Sequence, residues 1–195
     1  EKHSDSSRPD LCNNADYFVN AITHHMAAMT TLFADGNEEL SNHDHSRFLT
    51  RTNHMTGRVE HLGHEQRELY EPAILREAVV MQMTWPGAPT IYYGDEAGVC
   101  GFTDPDNRRT YPWGHEDKEM IEFHKEVIAI HKRYWAFRTG SVKMLMWQEG
   151  VLAMRVLMTE GSSSSLSTIG AGSYAACAGM AGGGSDAGFH AENDL

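Results

Sequence analysis

The stretch from residue 72 to residue 93 constrains the fold of this 195-residue chain more than any other. Apolar residues fill most positions of Pro72–Thr84, which predicts a helix that is buried on nearly every side. Two prolines and a glycine within residues 85–89 end that helix. Residues 90–93 are β-branched or aromatic, which predicts a buried strand that ends at residues 94–96. A buried helix followed at once by a buried strand indicates an α/β fold.

The remaining elements follow from hydrophobic periodicity. They are a helix over residues 15–33 behind a capping Asn14, a short strand running into a loop over residues 40–49, a helix over residues 116–135, and strands over residues 142–147 and 151–158. Before Gly140, helices and strands alternate as in a parallel α/β sheet or barrel. The two strands after it predict the beginning of an all-β module.

Residues 159–195 differ in composition from the rest of the chain. They are rich in glycine, serine and alanine and contain no stripe of large apolar residues. Such a stretch cannot offset the entropy of ordering its backbone. We therefore expect this tail to be disordered or foreign to the fold.

Charge and cysteine content exclude several classes of protein. The net charge of −11 argues against a nucleic-acid partner, whose phosphates require a basic surface. No apolar run approaches the ~20 residues of a membrane span, and no leader is evident after Glu1. Three widely spaced cysteines exclude a disulfide scaffold and suit a reducing compartment. A cytoplasmic location is therefore expected, and no cofactor is expected.

Polar side chains follow both predicted strands of the α/β part. Residues 42–44 follow the first, residues 94–96 follow the second, and a polar loop at residues 103–109 comes soon after. In a parallel barrel the working residues lie at these carboxyl ends. Carboxylates beside a histidine, arginines and aromatic rings suit a sugar site, where carboxylates act at an oxocarbenium-like centre.

These same segments resemble motifs of the α-amylase superfamily, glycoside hydrolase family 13. Asn42, His43 and Asp44, ahead of Arg47 and Phe48, resemble the strand-seven motif of that family. Residues 86–96 resemble its strand-eight segment. The continuation is similar to the neopullulanase, cyclomaltodextrinase and maltogenic amylase branch at Gly98, Asp104, Pro105, Arg108 and Trp113.

The resemblance implies a fold and an activity. The fold is the C-terminal portion of a (β/α)₈ TIM barrel, about strands 7–8 and their helices, over residues 1–140, followed over residues 141–158 by the start of an all-β C-terminal domain. The family cleaves α-glucosidic bonds with retention, using an aspartate nucleophile, a glutamate acid/base and a third aspartate. The expected substrates are maltodextrins, cyclodextrins or pullulan, cleaved at α-1,4 links, with α-1,6 links left open.

Particular residues match particular roles in the family. Asp44 matches the third catalytic aspartate, which holds ring hydroxyls of the distorted sugar and keeps the acid/base protonated through its negative charge. His43 matches a histidine that hydrogen-bonds the same sugar. Asp104 and Arg108 match a pair that lines the next sugar subsite.

The sequence also departs from the family pattern. No segment ahead of Asn42 supplies the nucleophile or the acid/base motif. The chain by itself is therefore expected to be an inactive fragment that folds poorly, because its strands would normally pair around a closed ring. Its intact parent would be the glycoside hydrolase, and whether that parent is a homodimer is left open.

Competing interpretations remain at the level of sequence. His43 and His45, or His61 and His64, could belong to a metal site, although no H-E-x-x-H motif is present and no metal is expected. Asp44 could cap a loop. Asp104 and Arg108 could form an ion pair with each other, while Asp95 and Glu96 are expected to be paired internally. The whole chain could also be a non-catalytic relative that serves as a binding or interaction protein.

Overall fold

The computed structural model describes residues 14–28, 37–52, 70–148, 151–158, 173–179 and 193–194. These residues divide into two compact units. The first contains residues 39–52, 70–82 and 90–127, and the second contains residues 14–28, 37–38, 83–89 and everything described from 128 onward. None of the described helices is both long and apolar enough to cross a bilayer.

The helices and strands occur in a mixed order along the chain. They are α1 (Ala15–Ala28), β1 (Asn37–Glu39), α2 (Phe48–Arg51), α3 (Pro72–Thr84), β2 (Ala88–Thr90), α4 (Lys118–Arg133), α5 (Ala136–Thr139), β3 (Ser141–Gln148), β4 (Val151–Leu157), β5 (Ser173–Gly179) and β6 (Asn193–Asp194). Two 3₁₀ turns lie at Asp95–Ala97 and Asp106–Arg108. Helix α1 confirms the predicted helix as far as Ala28, and its continuation to residue 33 lies outside the described residues.

The predicted strand within residues 40–49 is wrong in position. The strand is β1, which ends at Glu39, and the helical turn α2 begins at Phe48. The Ser41 hydroxyl accepts the Phe48 backbone N–H at 2.9 Å and so satisfies a donor of the first turn. The Thr52 hydroxyl donates to the Leu49 carbonyl at 2.6 Å at the other end. These two local side-chain bonds stabilise a turn too short for periodicity to reveal.

Helix α3 has the bounds that the sequence predicts, but its burial is less complete. Leu75, Val79 and Met83 form a fully buried stripe at four-residue spacing. Ala73 and Ile74 in the first turn are exposed, so the prediction of burial on nearly every side is wrong there.

The predicted strand over residues 90–93 is displaced. Strand β2 ends at Thr90, and the chain then turns, with the Asp95 N–H donating to the Tyr92 carbonyl at 3.1 Å. The Tyr93 carbonyl accepts from the Arg47 side chain at 2.7 Å. The carbonyls of Tyr92 and Tyr93 are thus used by a turn and by a side chain, and β-propensity alone cannot foresee either.

Helix α4 confirms the core of the predicted helix over residues 116–135. Asp117 caps it by accepting the Met120 N–H at 3.0 Å. Its buried face includes two histidines that the apolar stripe did not anticipate, His124 and His131. The Nδ1 atom of each histidine is hydrogen-bonded to a backbone carbonyl at 2.8 Å, so each buried ring has a polar partner.

The second unit contains a four-stranded sheet in the order β3-β4-β5-β6, with all pairs antiparallel. The predicted pair of strands after Gly140 is confirmed as β3 and β4, with an irregularity between Met144 and Met146. Val156 of β4 packs with Ala136 and Phe137 of α5 in a small core.

Part of the tail is also paired in this sheet. Residues 173–179 and 193–194 form β5 and β6, whereas the sequence predicts a tail that is disordered or foreign to the fold. The backbone of β5 pairs with β4, and the backbone of β6 pairs with β5. The other tail residues lie outside the described residues.

Candidate active site

The loop at residues 42–45 is folded by its own first side chain. The Asn42 Oδ1 accepts the backbone N–H groups of Asp44 at 2.8 Å and His45 at 3.1 Å. This is an Asx turn, which asparagine forms readily. The Asn42 Nδ2 donates to the Glu39 carboxylate at 2.6 Å, so the turn is tied to the end of β1. The turn leaves the His43 and Asp44 side chains 59% and 60% exposed, with 3.5 Å between His43 Nε2 and Asp44 Oδ1.

The polar loop at residues 103–109 lies beside the loop at residues 42–45. The Arg108 Nε donates to the Asp104 Oδ1 at 2.5 Å, and both side chains are about half exposed. Another nitrogen of the same guanidinium lies 3.5 Å from the His43 carbonyl. All four residues singled out from the sequence, His43, Asp44, Asp104 and Arg108, therefore lie on two loops joined through Arg108. The proposed ion pair of Asp104 with Arg108 is present, and it is exposed.

The buried side chain of Arg47 supports the loop at residues 42–45. Arg47 is completely buried and donates to Asp95 Oδ1 at 2.9 Å, to the Tyr93 carbonyl at 2.7 Å and to the Asn107 carbonyl at 2.9 Å. Its guanidinium also lies over the Tyr92 ring, 4.5 Å from the centroid. The expectation that Asp95 is paired internally is confirmed. Burial raises the pKa of Asp95, and hydrogen bonds from Ser41 and Arg47 oppose that rise.

Asn107 joins the two loops directly. Its side chain is completely buried, and its Nδ2 donates to the His45 carbonyl at 2.8 Å and the Asn42 carbonyl at 3.3 Å. Both hydrogen bonds are partly buried, and a buried acceptor left without a donor costs about 1–3 kcal/mol. Asn107 thus fixes the position of the Asx turn relative to the loop that contains Asp104 and Arg108.

The second loop is held in shape by a paired arginine and carboxylate. Arg109 donates two hydrogen bonds to Asp106, at 2.9 and 2.8 Å. Asp106 Oδ2 also accepts the Phe102 N–H at 2.8 Å. Gly101 lies so close that an added Cβ would be 2.5 Å from the Asp106 carbonyl oxygen, which only a glycine permits. The loop is therefore preorganised by internal bonds.

The arrangement is suited to binding neutral, hydroxyl-rich molecules. Asp44 and Asp104 present carboxylate acceptors, and a guanidinium has five N–H donors, more than the two contacts of Arg108 described above employ. No group of three or more metal-ligating side chains occurs among the described residues, and His61 and His64 lie outside them. The exposed polar groups of the two loops therefore stand on the buried base formed by Arg47 and Asn107.

The sequence predicts the exposed residues of the candidate site, but it does not predict that Arg47 and Asn107 support them. The sequence motif around Asp44 includes Arg47 without assigning it a role, and no sequence pattern marks Asn107. Their partners are 46 to 65 residues away along the chain, so no local pattern could reveal them. The one hint in the sequence is that both are polar residues in or next to the two loops that contain the candidate site residues.

The chain resembles enzymes that act on α-glucans. It is 38% identical over 115 residues to an amylopullulanase of Thermoanaerobacterium thermosulfurigenes, covering 59% of this chain and 6% of that protein. It is 38% identical over 106 residues to neopullulanase 2 of Thermoactinomyces vulgaris, covering 53% of this chain and 15% of that protein. The chain thus spans a small part of the length of these relatives.

The fold is similar to that of two solved structures. The debranching enzyme of Nostoc punctiforme matches with a TM-score of 0.62 and 22% identity, over 85% of this chain and 29% of that one. An Anoxybacillus α-amylase matches with a TM-score of 0.64 and 18% identity, over 86% and 32%. The sequence also matches the family described as alpha amylase, catalytic domain, over residues 2–151. The chain belongs to the alpha-amylase catalytic domain family.

Proposed function

We propose that this chain contributes Asp44 and a sugar subsite, built by Asp104 and Arg108, to a retaining α-glucan hydrolase. One observation carries the proposal: the exposed cluster of these three residues with His43 is held on a buried support of Arg47 and Asn107. Exposed, preorganised polar groups on a rigid base are what a binding site requires. Membership of the alpha-amylase catalytic domain family supplies the class of reaction.

The Asp104–Arg108 pair favours a neutral sugar chain over an anionic ligand. Asp104 neutralises much of the guanidinium charge, so an anion would gain little there and would meet Asp44 nearby. Sugar hydroxyls both donate and accept, and the pair offers both an acceptor and donors. The subsite is therefore matched to glucose units of maltodextrins, cyclodextrins or pullulan.

Asp44 would act at the sugar whose bond breaks. Its hydrogen bonds to ring hydroxyls would strengthen as the ring flattens toward the oxocarbenium ion, so it stabilises the transition state more than the ground state. The nucleophile and acid/base stand about 5 Å apart in a retaining site. In the proposed arrangement other strands of a complete barrel supply them, while residues 42–44 and 94–96 follow strands seven and eight.

The links expected to be cleaved are α-1,4, with α-1,6 as a second option. The support is the similarity to proteins named amylopullulanase and neopullulanase. A complete barrel that contains this segment would be assayed on maltodextrin, which has α-1,4 links, and on pullulan, which also has α-1,6 links.

Calorimetric titration of the purified chain with maltoheptaose tests the subsite. Arg108→Ala and Asp104→Ala are each expected to weaken binding by about tenfold, equivalent to ~1.4 kcal/mol. Lys125→Ala is the matched control, because Lys125 forms an exposed ion pair with Glu122 on α4 at 2.6 Å, outside the proposed site. Equal affinities of all three variants and the unaltered chain would contradict the proposal.

A further inference from the structure

The described structure carries an aromatic pair that the proposed site does not use. Trp113 is 79% exposed and packs against Tyr111, with ring centroids 4.5 Å apart. Single exposed aromatic residues are ordinary on protein surfaces. This pair is different because two rings are held together at one edge of a loop that already carries the proposed subsite.

The loop that carries the pair is braced by backbone and side-chain bonds. The Trp113 N–H donates to the Tyr111 carbonyl at 2.9 Å, and the His115 N–H donates to the Pro112 carbonyl at 2.8 Å. The Gly114 N–H donates to Glu116 at 2.9 Å, with Gly114 at a φ of 80° that favours glycine. The indole is thus presented to solvent by a turn with defined geometry.

The pair follows the residues of the proposed sugar subsite closely along the chain. The Tyr93 hydroxyl donates to the Arg109 carbonyl at 2.8 Å, and the Tyr92 and Tyr93 rings are 4.8 Å apart. Tyr93 therefore anchors Arg109, which follows Arg108 directly and precedes Tyr111 by two positions. Trp113 is five positions after Arg108, so their Cα atoms are at most about 18 Å apart. A short oligosaccharide is long enough to touch both.

A second exposed tryptophan shows what distinguishes Trp113. Trp135 is 55% exposed, but the Arg138 guanidinium lies over its ring at 3.9 Å. Among the cation–ring contacts in the part of the chain that the structure describes, none involves Trp113. The face of Trp113 turned away from Tyr111 is thus not covered by a cation.

We propose that Trp113, backed by Tyr111, is a stacking platform for an outer glucose unit of the α-glucan bound at Asp104 and Arg108. This inference rests on the proposed function and adds a binding position to it. The C–H face of a glucose ring is apolar and can cover the indole, while its hydroxyls remain in water. Two aromatic side chains offer far less than the roughly 800 Å² per partner of a stable protein interface, which favours a sugar over a second protein.

The test uses calorimetric titration of the purified chain with maltotriose and maltoheptaose. Trp113→Ala is expected to weaken maltoheptaose binding by about tenfold and to leave maltotriose binding unchanged, because only the longer chain reaches the platform. Trp113→Phe keeps an aromatic face and is expected to restore most of the affinity. Trp135→Ala is the matched control and is expected to bind both sugars like the unaltered chain.

The outcomes separate this inference from the function on which it rests. If the unaltered chain binds both sugars and Trp113→Ala behaves like Trp135→Ala, the platform is wrong and the proposed function stands. Equal loss of both sugars in Trp113→Ala would also overturn the platform, because an outer position must discriminate by length. Failure of the unaltered chain to bind either sugar would overturn both proposals. Sedimentation of Trp113→Ala would reveal a role in self-association if a dimer became a monomer, and that result would overturn the platform.

Discussion

Arg47 and Asp95 form a buried ion pair, with 2.9 Å between Arg47 Nη1 and Asp95 Oδ1 and with 0% and 7% of their side chains exposed. Arg47 lies at the end of the loop that carries Asp44, and Asp95 lies in the turn after β2. The pair therefore joins the segment that follows β1 to the segment that follows β2. Its other bonds, to the carbonyls of Tyr93 and Asn107, make it the centre of the support beneath the candidate site.

Asp95→Ala is expected to destabilise the chain by about 3–5 kcal/mol, because it leaves the Arg47 charge buried without its partner. The free energy of unfolding from urea titration measures this. Glu122→Ala, which breaks an exposed pair with Lys125, is the control and is expected to cost less than about 1 kcal/mol. Similar losses for the two variants would show that Arg47 is not the support described here.

Asn107→Ala is expected to cost about 1–3 kcal/mol and to loosen the loop at residues 42–45, since two carbonyls lose their donor. Hydrogen exchange of the Asp44 and His45 amides, which the Asx turn protects, reports the loosening. Asn20→Ala on the exposed face of α1 is the control and should leave that exchange unchanged. Unaltered protection in Asn107→Ala would count against the role of Asn107 in positioning Asp44.

Glu38 is expected to make stability depend on pH. Burial raises the pKa of Glu38 from 4.5 to about 7, although backbone hydrogen bonds lower it in part. Between these two values the folded state holds a proton that the unfolded state releases. Stability is therefore highest below pH 4.5 with respect to this group, falls as the pH rises through the interval, and stays reduced above about 7.

Glu38→Gln removes this dependence because glutamine is neutral at every pH. The urea midpoint of the unaltered chain is expected to fall between about pH 5 and about pH 8, and that of Glu38→Gln to fall less. Glu119→Gln, at an exposed position of α4, is the control and should follow the unaltered chain. An unchanged slope in Glu38→Gln would exclude Glu38 as the titrating group.

Asp44→Asn is expected to lower kcat by orders of magnitude with a much smaller change in KM, because it removes charge but preserves shape. Arg108→Ala is expected mainly to raise KM for long substrates. Both are measured after residues 15–158 replace the corresponding part of a complete barrel from an amylopullulanase. Lys125→Ala again serves as the control. Near-normal kcat in Asp44→Asn would leave Asp44 with only a structural place in its loop.

Much of the architecture could be predicted from the sequence alone. Helix α3 was predicted with its observed bounds because apolar residues run through it and prolines follow it. Helix α4 and strands β3 and β4 were also predicted, since each has a clear period of its own. The motifs around Asp44 and Asp104 predicted the family, which the match over residues 2–151 confirms.

Only the tertiary structure decided how the site is supported. Arg47 donates to the Tyr93 carbonyl after β2, and Asn107 donates to the carbonyls of Asn42 and His45. Strand β5 exists because β4 offers it backbone partners, although its composition favours disorder. Periodicity records what a segment prefers by itself, whereas hydrogen bonds from residues tens of positions away decide where that preference is overruled. The exposed residues of the candidate site can therefore be predicted from the sequence, whereas the buried residues that position them cannot.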